Sequence, residues 1–320
     1  MKAAIVSGAG QTPVYGDFAE PVPTAGDNRI AVTAAAISHI VKSRASGRHY
    51  SSSDQFPFIV GIDGVGRLDD GRRVYFAMPK APYGSMAERA VVPSARCVAL
   101  PDDLDDVTAA AIANPGMSSW AAYKARARLK AGETVLINGA TGTAGRLAVQ
   151  IAKHLGAKKV IATGRNADAL QSVRALGADV TIPLVGSETA LEDLFKEQFA
   201  AGVDVVIDYL WGKSAERLLI AGTKAGADAV PIRFVQIGSV SGPDITLPSA
   251  VLRSSAIELM GSGLGSVPFE LYVRCIRELL RATIPGGFKI AFNPVPLSEA
   301  EQAWPKDDSL RRTVFTVDVQ

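Results

Sequence analysis

Apolar and polar residues alternate over short stretches in the first third of the chain, at residues 2–6, 29–37, 73–76 and 87–92, with Gly, Pro and Asp clusters between them. A period of two over runs this short predicts half-buried strands. One stretch differs: Asp105 and Asp106 lead into an Ala-rich run at 105–113, which predicts a capped helix that stops at Asn114-Pro115-Gly116. Beyond it the pattern changes to strands alternating with amphipathic helices, the first helix at 117–127. Unbroken apolar runs that suit strands covered on both faces lie at 134–138, 159–163, 180–183, 203–208, 234–238 and 257–260. Helix-like segments at 145–155, 167–176, 188–199, 213–219 and 250–255 fall between them, and another follows at 269–281. The tail, 289–319, returns to alternation. This βαβ rhythm predicts an α/β protein in which a doubly wound parallel sheet is inserted into a mostly β domain made of both chain ends.

Size and charge narrow the picture. With 320 residues the chain can bury substantial cores without covalent staples. Its 34 basic and 32 acidic side chains are spread along the sequence, which argues against nucleic acid as a partner. Two cysteines, Cys97 and Cys275, supply neither a disulfide framework nor a thiolate zinc site, and a reducing, cytoplasmic setting is expected. No run approaches a signal-peptide core or a membrane span.

The strongest chemical motif is Gly139-Ala140-Thr141-Gly142-Thr143-Ala144-Gly145, placed between a predicted strand and a predicted helix. A glycine at Gly142 lets backbone approach a pyrophosphate, Gly145 lets helix pack on strand, and the helix N-terminus offers free N–H groups. Cofactor choice is expected about 20 residues further on, where an acid would hold the ribose 2′-hydroxyl of NAD. That place reads Thr163-Gly164-Arg165, with no carboxylate and with a guanidinium suited to a 2′-phosphate, so NADPH is the expected cofactor. A solvated loop arginine is the alternative for Arg165.

Together with this loop, several other segments carry a family resemblance: Met1-Lys2-Ala3-Ala4, residues 37–47, the run from Phe56 to Gly66 (FPFIVGIDGVG), Gly84-Ser85-Met86-Ala87-Glu88 and Leu176-Gly177-Ala178-Asp179. Over nearly its whole length the chain resembles the medium-chain dehydrogenase/reductase superfamily, in particular its zinc-independent quinone oxidoreductase, or zeta-crystallin-like, branch. The resemblance implies a GroES-like, partly open β-barrel catalytic domain at 1–115, a Rossmann domain at 116–283 and a return to the catalytic domain at 284–320. It also implies a homodimer paired through the edge strand at 257–260. Zinc-dependent relatives carry a cysteine and a Gly-His-Glu where this chain has Ser38 and Gly61-Ile62-Asp63, so no metal is expected.

Without a metal the natural reaction is hydride transfer to an electron-poor quinone or conjugated enone, with the cofactor carrying the difficult step. The resemblance places Ser38, His39 and Tyr50 in the acceptor pocket. Tyr50 and His39 are alternative proton donors, each with a purely structural role as the competing possibility. It also places Ser118, Ile237-Gly238-Ser239 and Gly261-Ser262 near the nicotinamide half of the cofactor; for Ser118 a helix cap is the alternative. Two other activities stay open on the residues alone: a zinc-independent alcohol or aldehyde oxidoreductase, and an NADPH-binding redox sensor with little turnover.

Overall fold

The computed structural model describes residues 1–49, 52, 55–308 and 310–318. The chain begins with β1 (Lys2–Val6), β2 (Val14–Asp17), β3 (Asp27–Ala36), α1 (His39–Ala45), β4 (Phe58–Ile59), β5 (Asp63–Leu68), β6 (Arg73–Ala77), β7 (Arg89–Pro93) and β8 (Cys97–Ala99). It continues through α2 (Asp106–Ala121), β9 (Thr134–Asn138), α3 (Thr143–His154), β10 (Lys159–Gly164), α4 (Ala167–Arg174), β11 (Val180–Pro183), α5 (Glu188–Ala200) and β12 (Val205–Asp208). Then come α6 (Gly212–Ala225), β13 (Ile232–Gln236), α7 (Ser249–Arg253), β14 (Ile257–Gly261), α8 (Phe269–Thr283), β15 (Phe292–Pro296) and β16 (Arg312–Thr316). Two compact units result, Gly116–Tyr272 and the pair of segments Met1–Pro115 and Val273–Gln320.

The first of these is a doubly wound Rossmann unit. Its six strands are all parallel and lie in the order β11-β10-β9-β12-β13-β14, so the strand order reverses between β9 and β12. Helices cover the sheet, and the central strands are therefore mostly apolar. Leu136, Ile161, Val206 and Phe234 from four strands pack with Phe195 and Phe199 of α5 and Leu218 of α6 in one core. Burial of each such side chain contributes roughly 1.5–3 kcal/mol.

The second unit is the partly open β-barrel. One sheet runs β15-β16-β3-β5-β6-β8, with β7 also paired to β3, and a smaller one runs β2-β1-β4. Apart from β15 with β16, its neighbours are antiparallel.

Several elements depart from the sequence expectations: β2, α1, β4 and β8 fall where none was expected, and three further departures have a visible cause. β5 was hidden by Gly64 and Gly66, which read as turn residues. A Cβ on Gly66 would lie 2.3 Å from the Ala31 carbonyl oxygen, so glycine is there because β3 approaches closely. The helix expected to end before Pro115 continues to Ala121 with Pro115 inside it, then passes into a π-helical turn at Ala122–Ala127. α6 runs six residues past its expected end, through Gly222, where α5 comes near: a Cβ there would meet Phe199 at 3.3 Å.

Candidate active site

In the Rossmann unit, a buried polar belt crosses the carboxyl ends of β10, β9 and β12. The Thr163 hydroxyl donates to Asn138 Oδ1 at 2.8 Å, and Asn138 Nδ2 donates to Asp208 Oδ1 at 2.8 Å and to Ser214 Oγ at 2.9 Å. Thr163, Asn138 and Asp208 have no solvent exposure. Burial raises the Asp208 carboxyl to about 6, against the backbone N–H groups of Leu210 and Trp211 and the Asn138 amide, which favour its charge. The same carboxylate accepts the Trp211 N–H at 3.1 Å and so helps hold that residue at φ 57°, a conformation glycine favours. Asn138 and Asp208 were not singled out in the sequence and Thr163 only as the neighbour of Gly164-Arg165, although a polar side chain closing each of three apolar runs is the signal that marks them.

The belt fixes the glycine loop. Gly139 N–H donates to Thr163 Oγ1 at 3.1 Å and Ala140 N–H to the Thr163 carbonyl at 2.8 Å. Gly145 sits against the loop so closely that a Cβ would fall 2.3 Å from the Gly139 oxygen. Gly142 is the N-cap of α3; it supplies no capping side chain, and α3 has no acid in its first turn. A Cβ on Gly142 would meet no protein atom within 4 Å. Thr141, Thr143 and Ala144 are half-buried around it. An uncapped helix start with open space before it is an anion cradle, and it fits the diphosphate of a dinucleotide. Thr141 packs over Gly164, and Arg165 follows, exposed, at the end of β10 with no carboxylate beside it in Thr163-Gly164-Arg165.

The expected nicotinamide-side residues occupy the ends of the other strands. Ile237 N–H donates to the Asp208 carbonyl at 2.7 Å, and Gly238 lies so close that a Cβ would be 2.8 Å from the Tyr209 oxygen. Ser239, one residue on, is exposed. Ser262 N–H donates to the Gln236 carbonyl at 2.8 Å, and Arg126 Nε to the Gly261 carbonyl at 2.8 Å. Ser118 lies inside α2 and not at a helix start, which removes the cap role. It faces the buried Tyr209 hydroxyl, whose pKa is pushed to about 12 by burial and held down by Ser118 and Ser119.

In the barrel unit, Ser38 is the N-cap of α1, its Oγ accepting the Val41 N–H at 3.3 Å. His39 is exposed at the first position of that helix. Tyr50 lies outside the described residues. The Ile37 carbonyl, next to Ser38, accepts from Arg312 Nε at 2.9 Å. Asp63 is fully buried, accepts the Tyr75 hydroxyl at 3.0 Å, and is raised to about 6 by burial, against the Arg312 charge and the Tyr75 bond. At the zinc-ligand positions, Ser38 is engaged as a cap and Ile62 has no donor atom, a set that does not fit zinc. Among the described residues no three His, Cys, Asp or Glu side chains are grouped to hold a metal. No helix among them is long and apolar enough to cross a membrane.

Comparison with known proteins agrees with this architecture. Residues 144–283 match the family described as zinc-binding dehydrogenase. A protein of Emericella nidulans named "Probable NADPH-dependent quinone reductase tdiC" is 28% identical over 99% of this chain and 100% of its own length. Among solved structures, a mycobacterial quinone oxidoreductase superposes with a TM-score of 0.83 at 22% identity over 99% of both chains. The quinone oxidoreductase of Thermus thermophilus, solved also with NADPH, does so with a TM-score of 0.81 at 25% identity, over 99% of this chain and 100% of that one. Over nearly its whole length the chain is thus similar to members of the medium-chain dehydrogenase/reductase superfamily. Within that superfamily the likenesses fall in the quinone oxidoreductase branch.

Proposed function

We propose that the protein is an NADPH-dependent reductase that delivers hydride to a quinone or conjugated enone without a metal. The observation that carries this is the uncapped start of α3 at Gly142 beside a strand end that offers Arg165 and no acid. The names of the relatives, one an NADPH-dependent quinone reductase, support the same cofactor and acceptor class.

The cofactor supplies a hydride from its nicotinamide when bound. The residues of the chain do the rest. The first-turn N–H groups of α3, at Thr143, Ala144 and Gly145, together with the loop Gly139-Ala140-Thr141-Gly142, hold the diphosphate. Arg165 beside Gly164 pairs with the 2′-phosphate, and Ser118, Ile237, Gly238, Ser239, Gly261 and Ser262 orient the nicotinamide half. Ser38 shapes the start of α1 in the acceptor pocket, and Tyr50 or His39 gives the proton that the reduced oxygen or carbon needs. A quinone or enone requires little polarisation before accepting hydride, so the zinc that a plain carbonyl needs is dispensable. The protein acts as a homodimer in a cytoplasmic setting.

The test is reduced-nicotinamide oxidation with a small quinone and a conjugated enone, NADPH and NADH side by side, in the wild type and Arg165→Gln. Turnover with NADPH preferred, and that preference falling about tenfold in the variant, is the expected outcome. Tight NADPH binding with no oxidation by either acceptor would favour the sensor alternative instead.

A further inference from the structure

α1 carries, beyond Ser38 and His39, a charge that nothing among the described residues answers. Val41 and Arg44, three residues apart on one helical face, line a cleft in the barrel unit whose other walls include Phe58, Ile59, Ile62 and Pro82. These walls are mostly apolar, with Gln55 and Tyr83 the polar side chains that join them, and Val41, Ile59 and Ile62 are buried. Arg44 is half-buried, and among the described residues its guanidinium has no hydrogen-bond or ion-pair partner.

That isolation is specific to Arg44. Every other arginine of the barrel unit that is not exposed has an answer among the described residues. Arg73 binds Asp106 at 2.6 Å, Arg89 faces Glu20 at 3.9 Å, Arg96 donates to the Met78 carbonyl, and Arg312 to the Ile37 and Ala111 carbonyls. On α1 itself, Lys42 is paired with Asp307 at 3.0 Å. The end of α1 does not need Arg44 either. Its last carbonyls, at Lys42, Ser43 and Arg44, already accept the N–H groups of Ser46, Arg48 and Gly47. Burial lowers the pKa of Arg44 with no carboxylate of the described residues opposing it, and His49 is lowered by burial and then by the charges of Arg44 and His39. Arg44 therefore sets a positive charge against a mostly apolar floor. A desolvated cation in such a place is costly unless something arrives to pair with it.

We infer that Arg44 anchors an oxyanion, a carboxylate or a phosphate, carried by an apolar acceptor, so that the protein reduces quinones or enones with a negatively charged end. The planar fork of the guanidinium takes two oxygens at once, while the apolar walls take the rest of the molecule. This rests on the reductase reading above and narrows its substrate class.

The experiment measures binding, so it stands apart from turnover. The full chain is titrated calorimetrically with 2-naphthoate, 2-naphthyl phosphate and the neutral methyl 2-naphthoate, in the wild type, Arg44→Gln and Arg44→Lys. In the wild type at least one of the two anions is expected to bind about tenfold more tightly than the ester, as a charge-assisted hydrogen-bonded pair does. Arg44→Gln abolishes that preference and Arg44→Lys keeps part of it. The tighter of the two anions identifies the group as carboxylate or phosphate. Equal binding of anions and ester by the wild type, absence of binding by all three, or a preference that survives in Arg44→Gln overturns the inference. Failure of the reductase reading is seen separately, as no oxidation of NADPH by any quinone.

Discussion

Arg312 donates its Nη1 to the carbonyl oxygen of Ala111 at 2.5 Å. That carbonyl is the one Pro115, four residues on in α2, has no N–H to satisfy. The proline interrupts the helix's own bonding, and a side chain from β16 restores it. The same guanidinium holds Ile37 through Nε, beside the Ser38 cap, and lies fully buried near the buried carboxyl of Asp63. Among the described residues, Asp63 Oδ1 and Arg312 Nη2 have no direct hydrogen-bond partner.

Arg312→Met removes both carbonyl bonds and leaves Asp63 without its opposing charge. The expected loss is about 3–5 kcal/mol of unfolding free energy, seen as a lower urea midpoint. Adding Asp63→Asn to Arg312→Met should recover part of it, because the uncompensated acid is then gone. A midpoint unchanged by Arg312→Met would mean the guanidinium does not support α2.

Stability should depend on pH in two windows of opposite sign. Asp63 and Asp208 both stand at about 6 in the folded protein, above the ordinary 3.8. The folded state therefore binds more protons than the unfolded state between about pH 4 and 6, and stability falls as pH rises through that range. Each group contributes on the order of 2–3 kcal/mol. Asp27, lowered to about 2 by its bonds to Lys80 and Thr24, acts the other way: its contribution is present above 3.8 and is lost as pH falls towards 2. Urea midpoints measured from pH 3 to 7 should thus peak near pH 4, and Asp208→Asn should flatten the decline above it.

Two glycines of the same loop should answer differently to one methyl group. Gly145→Ala pushes a Cβ against backbone at Gly139 and Ala140 and should lower the melting temperature. Gly142→Ala meets no protein atom and has no positive φ, so the fold should stand. Its methyl enters the space assigned to the diphosphate, and NADPH affinity should fall about tenfold or more. Thermal melts and NADPH titrations of both variants separate the two roles.

Much of the Rossmann unit was legible because burial on both faces leaves unbroken apolar runs: β9 and β11 match their expected limits to the residue. The glycine loop was legible because strand, spacing and helix occur in one continuous stretch. What escaped were features that depend on distant contacts. β5 is written in glycines because β3 packs against it, and α2 survives Pro115 because Arg312, some 200 residues away in sequence, supplies the bond. Arg44 likewise looks like any surface arginine until the cleft around it is seen. The belt of Thr163, Asn138 and Asp208 needs the strand order, since only adjacency in the sheet brings the three together.

The proposed reaction is hydride transfer from NADPH to a quinone with no metal at Ser38 and Ile62. Its most direct measurement takes one chelator-treated sample, counts its bound metal and follows NADPH oxidation by a small quinone. Full turnover with far less than one metal ion per chain is the expected result. Turnover that disappears with the metal and returns when zinc is added would contradict it.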